Sequence, residues 1–234
     1  MFGFIIPILK AVAVNFVANK VISWVAPTPD IPDFSDELSN QQAQGILLNK
    51  QSNNAHLPVV YGTRLLGGTR IFLETSTNNT YLYGALVLCE GEINGITKIY
   101  INDQEVTFGS SFSDGGTVTS NDSRFGTTIQ LQTFYGTDGQ SQSSLLNELS
   151  SWSSETRPLS GIAYCAFKIT WDADKYTGIP NIQALVQGRK VSTYDASSVE
   201  TTGVFTDNPA WCLLDYLTNT RYGKGIDIAD IDIP

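Results

Sequence analysis

His56 is the only histidine in the chain, and it sits in a stretch rich in Gln and Asn. A lone imidazole in such a setting reads as a surface side chain, not as half of an acid–base pair. Cys89, Cys165 and Cys212 are far apart in the sequence, odd in number and set among apolar residues. That pattern fits neither a disulfide framework nor zinc-ligand spacing, and it predicts buried, reduced thiols in a protein folded in a cytoplasm. Glu90-Gly91-Glu92 places two carboxylates close together, as a glycoside hydrolase would need. Acids flanking a glycine are also what a β-turn presents to water, and the turn is the reading taken. Asp227, Asp230 and Asp232 could offer oxygen ligands to Ca²⁺, but the segment lacks the glycine and glutamate of an EF-hand loop. No nucleophile elbow and no phosphate-binding loop is present. The chain is therefore read as non-enzymatic, with no catalytic residue, cofactor site or metal ligand assigned.

The net charge is −9 and the pI about 4.5, which argues against a basic groove that holds nucleic acid. An acidic surface can simply be a solvated one, or it can line a passage through which DNA moves without sticking. Arg64, Arg189 and Lys190 lie near turns, where they are either solvated or face an acidic partner or DNA. Tyr61, Tyr216 and Tyr222 are either interface anchors or core aromatics with a hydrated hydroxyl. With 41% hydrophobic and 16% charged residues, the 234-residue chain is globular and long enough for a core without covalent staples. At ~150 residues per domain it holds one or two domains.

The elements that must position these residues are mostly strands. Residues 57–62, 69–75, 81–89, 96–101, 105–108, 127–135, 161–171 and 180–186 read as strands, with 81–89 apolar enough to be buried on both faces. Asn102-Asp103-Gln104 makes a hairpin connection, and residues 109–126 read as a long exposed loop. Leu145, Leu149 and Trp152 predict a short helix over 143–152. Asp207 or Asn208 caps a second helix with Pro209 at its first position. Ala210, Leu213, Leu214 and Leu217 form its apolar face, Arg221 suits its C-terminal end, and Gly223 stops it. Ile226, Ile228, Ile231 and Ile233 alternate as a half-buried extended segment.

At the N-terminus, residues 2–25 are strongly apolar, but Lys10 and Lys20 oppose a membrane span and there is no basic leader for a signal peptide. The spacing from Pro7 predicts a helix whose apolar side faces a partner or packs on its own domain; the Pro-rich linker that follows favours the partner, with Phe4, Ile8, Val12, Phe16 and Val17 as the contact residues. Four regions follow: a partner-binding helix at 1–26, a Pro-rich linker and irregular crossing at 27–56, a β-rich region at 57–200, and a helix with the start of a further segment at 201–234. The fold class is mainly β (a β-rich α+β chain of barrel- or sandwich-like domains with a few short helices), without βαβ alternation.

Several motifs, in order, resemble the hub region of phage tail-tip proteins of the lambda J type. Leu57-Pro58-Val59-Val60-Tyr61-Gly62-Thr63-Arg64 with Gly67-Gly68 is the first, and Glu90-Gly91-Glu92-Ile93-Asn94-Gly95-Ile96 the second. Gly136-Thr137-Asp138-Gly139-Gln140 follows, then Ile179-Pro180-Asn181-Ile182 with Val186-Gln187-Gly188-Arg189-Lys190-Val191. The fullest match runs from Asp207-Asn208-Pro209 through Tyr216 to Arg221-Tyr222-Gly223-Lys224-Gly225. The resemblance covers residues 57–225 and marks Tyr61, Gly62, Arg64, Gly67, Gly68, Asn208, Pro209, Tyr216, Arg221, Tyr222 and Gly223 as hub-motif residues. It implies a virion protein at the distal end of a long non-contractile tail, made in the bacterial cytoplasm. It further implies a trimer on the tail axis that contacts the distal tail protein, the tape measure protein and other tail-tip proteins. Such a hub closes and gates a channel through which genomic DNA passes. Family members run much longer, and receptor binding is a property of their later regions. The alternatives are a tail module that binds the host surface and a tail-associated cell-wall hydrolase.

Overall fold

The computed structural model describes Asn49, residues 56–195 and residues 197–231. The chain divides into Met1–Asn40 and Gln41–Pro234, and the described residues belong to the second part. The expected helix at 1–26, its contact residues Phe4, Ile8, Val12, Phe16 and Val17, and the crossing at 27–56 apart from Asn49 and His56 lie outside the described residues.

Strand β3 (Tyr81–Glu90) organises the fold. Its apolar run is paired on both sides, by β2 (Thr69–Thr75) and β8 (Ile162–Thr170), in an antiparallel five-stranded sheet completed by β7 (Ile129–Tyr135) and β6 (Thr117–Thr119). Both faces of this sheet are covered, which is why its central strands show no polar alternation. Leu86, Leu88, Cys165, Phe167 and Leu131 point toward a second sheet. Tyr83, Ala85, Val87, Tyr164 and Phe134 point the other way and are covered by Leu146 and Trp152. The second sheet has the order β1-β9-β4-β5, with β1 (Thr63–Leu66), β9 (Ile182–Arg189), β4 (Ile93–Ile101) and β5 (Gln104–Val106). Ile93, Ile99, Ile101 and Val186 from this sheet are wholly buried against the first. Each such side chain contributes about 1.5–3 kcal/mol of burial. A sandwich core results. Gly84 belongs to it, because a Cβ there would stand 2.2 Å from Cζ of Phe167.

The β4–β5 connection turns on Asn102 (φ 50°) and Asp103 (φ 65°), the paired left-handed conformation of a type I′ hairpin. Asp103 Oδ1 accepts from Gln183 Nε2 at 2.7 Å, which ties the turn to β9.

The mainly β class stands, and several local expectations change. Residues 57–62 are not a strand: the ladder begins after Gly62, although the Val60 carbonyl accepts from Arg189 N at 2.7 Å. Residues 109–126 are not an exposed loop. They contain β6, and Val118, Ser120, Asp122 and Phe125 are buried. The low apolar content hid this because polar anchors hold the segment: Arg124 Nη2 stands 2.8 Å from Asp122, whose carboxyl it holds well below the ordinary carboxylate range. The helix over 143–152 is broken into a 3-10 turn (Leu146–Glu148) and a single turn α1 (Ser150–Ser153), because Leu149 is extended at φ −102°, ψ 130°. The ribbon of β10 (Val191–Tyr194) and β11 (Glu200–Val204) was not expected from the sequence. Ile226 and Ile228 are exposed, and a 3-10 turn at Ile228–Asp230 replaces the half-buried extended segment.

Candidate functional site

Helix α2 (Pro209–Thr218) begins as its sequence requires: Asn208 accepts from Ala210 N at 3.0 Å and Pro209 occupies the first turn. Its packed side differs from the expected one. Leu214 is buried, whereas Ala210 and Leu213 face outward, Leu213 at 56% exposure. Trp211 meets Tyr194 of β10 with ring centroids 6.1 Å apart. The helix ends at Thr218 with Asn219 as its cap, so Arg221 and Gly223 belong to the turn beyond it.

Asp215 lies next to Leu214 on the packed side and gathers three segments. Its Oδ2 accepts from the Tyr222 hydroxyl at 2.5 Å and from the Tyr61 hydroxyl, and Arg189 Nε stands 3.6 Å away. The Arg189 guanidinium also lies over the Tyr222 ring, 5.1 Å from its centroid. Burial first, then the hydrogen bond to Asp215, raises the pKa of both tyrosines well above the ordinary phenol range. One carboxylate thus binds the approach to β1, the end of β9 and the turn after α2.

Two ion pairs lie beside this point. Arg221 Nε reaches Glu90 Oε1 at 2.6 Å, and Lys190 Nζ reaches Glu92 Oε1 at 2.5 Å. The two acids of Glu90-Gly91-Glu92 are therefore held by cations, not merely solvated. Gly91 (φ 82°) lets the Arg189 guanidinium pass: a Cβ there would come 1.6 Å from Nη1. Gly223 lies against α2 in the same way, where a Cβ would stand 1.9 Å from the Tyr216 carbonyl oxygen.

The hub-motif residues separate into two groups. Tyr61 and Tyr222 meet on Asp215, Arg221 and Gly223 lie in the same turn as Tyr222, and Gly62, beside the Asp207 carboxylate, lies with Asn208 and Pro209 toward the start of α2. Gly67 and Gly68 stand at the far end of β1, Arg64 is exposed on that strand, and Tyr216 is 38% exposed on the outer side of α2. Sequence reasoning gave Asp215 no place, although an acid beside Leu214 and four residues after Trp211 on an amphipathic helix is a usable signal. It also weighed Arg189 as a surface charge, and the structure half-buries it.

Chemically the junction is a clasp. Its phenols donate, its carboxylate accepts and its guanidinium balances the charge, all within the chain. Among the described residues no group of His, Cys, Asp and Glu is arranged to hold a metal ion. Also among them, no helix is long and apolar enough to cross a membrane.

No family model matches the chain. The baseplate hub protein pb3 of Escherichia phage T5 is 29% identical over 218 residues, covering 74% of this chain and 23% of the T5 protein. The chain thus spans less than a quarter of that relative's length. Among solved structures, a chain from the virion of a native gene transfer agent particle aligns at TM-score 0.41 and 18% identity, over 60% of this chain and 29% of that one. The likeness to a phage tail hub-type protein, read above from the motifs, is shown by the T5 relative.

Proposed function

We propose that the chain is a structural, non-enzymatic part of a phage tail-tip hub, located in the virion at the distal end of the tail. The observation that carries this reading is the similarity to a baseplate hub protein over most of the described fold. The meeting of two hub-motif residues, Tyr61 and Tyr222, on the Asp215 clasp supports it, because motifs far apart in the sequence then specify one packed contact. In this reading three copies surround the tail axis and contact the distal tail protein, the tape measure protein and other tail-tip proteins. Apolar surface buried between subunits supplies the affinity. The net charge of −9 suits a wall past which DNA slides. Opening is a shift between two arrangements of the subunits, driven by whichever partner binds the open one more tightly.

Cryo-EM reconstruction of the tail tip without imposed symmetry tests the proposal. Three copies around the axis below the distal ring are expected. A peripheral position replaces the hub by a host-surface module, and absence from the virion overturns both. The partner-binding role expected for residues 1–26 has its own test: their deletion abolishes tail assembly if they bind a partner, and leaves infectivity intact if they do not.

A further inference from the structure

Among the described residues, every lysine and arginine except Arg64, Arg70 and Lys224 stands in an ion pair. Arg64 and Lys224 are exposed, so water solvates them. Arg70 is only partly exposed, and its Nε is buried with no hydrogen-bond partner. Burial lowers its pKa. A guanidinium drawn partly out of water with no carboxylate beside it is costly, and an anion brought by a partner would relieve that cost.

The surroundings of Arg70 indicate what brings that anion. Arg70 lies on β2, the outer strand of the five-stranded sheet, whose far side pairs with no other strand among the described residues. Arg70 opposes Leu86 and Leu73 opposes Gly84, so the two occupy consecutive positions on one face, roughly 7 Å apart. From Leu73 onward that face opens into a groove of about 690 Å³ lined by Leu73, Tyr81, Leu82, Trp171 and Ile179. Trp171 is 46% and Ile179 54% exposed. A cation, a free strand edge and an apolar cleft thus lie in a row.

A complementary segment lies at the opposite end of the sandwich. After α2 the chain reads Ile226-Asp227-Ile228-Ala229-Asp230-Ile231. Ile226 and Ile228 are 38% and 39% exposed, and neither Asp227 nor Asp230 is in an ion pair. The segment is anchored by Ile226 N donating to the Leu217 carbonyl at 2.9 Å. It belongs to the end where Arg221 meets Glu90, the last residue of β3, whereas the groove contains Tyr81, the first. The ten residues of β3 separate the two by about 30 Å. Six residues extend at most about 20 Å from the anchor, so the segment cannot fill its own groove.

We propose that residues 226–231 of one copy dock on the β2 edge and groove of a second copy, with isoleucines in the cleft beside Trp171 and an aspartate on Arg70. The contact joins two unlike surfaces at opposite ends of the molecule. It therefore propagates head to tail and closes into a ring when the rotation between copies permits. This inference does not rest on the hub reading, and it is tested in solution without the virion.

The test uses two preparations of the full chain, one carrying Ile179→Cys and the other Ile228→Cys, mixed under mild oxidation. A covalent heterodimer above the wild-type background is expected in the mixture and not in either preparation alone. Introducing Arg70→Glu into the Ile179→Cys chain lowers the yield at least roughly tenfold, and Asp227→Lys with Asp230→Lys in the other chain restores it. No cross-link in the mixture, with both chains melting like wild type, overturns the proposal. A cross-link untouched by Arg70→Glu removes Arg70 from it, and with it the chemical reason for this occupant.

Discussion

Between the two sheets, Ile93, Ile99, Ile101, Ile129 and Val186 are fully buried and meet side chains of their own kind. At α2 a single residue of the helix, Leu214, is buried, and much of the hold comes from two phenols and a guanidinium converging on Asp215. Apolar burial is spread over many residues and is lost in proportion to the atoms removed. A polar clasp is concentrated, and removing its shared carboxylate leaves two phenols without their acceptor and a guanidinium without its counter-charge. The sandwich is thus built to persist and the α2 junction to be set or released by one group.

The largest expected effect is in the sandwich. Phe167→Ala should cost about 3–5 kcal/mol in urea unfolding, because the emptied space lies between packed sheets. A loss below 1 kcal/mol would mean that the sheets repack, and the contrast would blur. Next comes Asp215→Asn, which should lower the stability of the junction by about 2–3 kcal/mol. Hydrogen exchange should report this as faster exchange in α2 with β3 and β8 unchanged. If the β3 amides open together with α2, the two regions form one cooperative unit.

Alkaline pH should separate the regions without mutation. Burial pushes the Cys89 thiol from 9.0 to about 11 and the Cys165 thiol to about 12. Their contribution is complete below 9 and is lost as pH rises above it, because the unfolded thiols ionise first. By pH 9.5 the sandwich should lose about 1.5 kcal/mol. The clasp tyrosines start from 10.0 and are also raised, so in a Cys212→Ser background, which removes the α2 thiol that is likewise raised from 9.0, the junction begins to weaken only above pH 10. Equal onset of both transitions, followed by Trp fluorescence and α2 exchange, would remove the distinction. The smallest effect is at the helix start, where Asn208→Ala should cost about 1 kcal/mol, visible in α2 exchange alone.

How much of this was legible in the sequence follows the same division. β2 and β3 declared themselves through composition, and the Asn102-Asp103 turn through its chemistry. Pro209 and its cap fixed where α2 begins. Residues 109–126 escaped because polar anchors such as Asp122, not apolar periodicity, hold them in place. The outer orientation of Leu213 escaped because a helix with apolar residues on several sides does not say which side is covered. The clasp was half visible: Tyr61 and Tyr222 were marked by resemblance, but their meeting depends on contacts such as Tyr61 with Asp215, 154 positions apart. No local pattern encodes that separation.

The antiparallel pairing of β3 with two neighbours also has a mechanical meaning. A pull along β3 would load its hydrogen bonds to β2 and β8 side by side, in shear, so that many must fail together. The β10–β11 ribbon joins its strands through a short connection at residues 195–199, so a pull that parts the strands at their open end would unzip them one pair at a time. Under tension the ribbon would yield once the Asp215 clasp, which ties the end of β9 to α2 across it, had released, and it would then lengthen the chain just before α2 while the sandwich behind it stayed rigid. The molecule carries, in series, a soft extensible link and a stiff one.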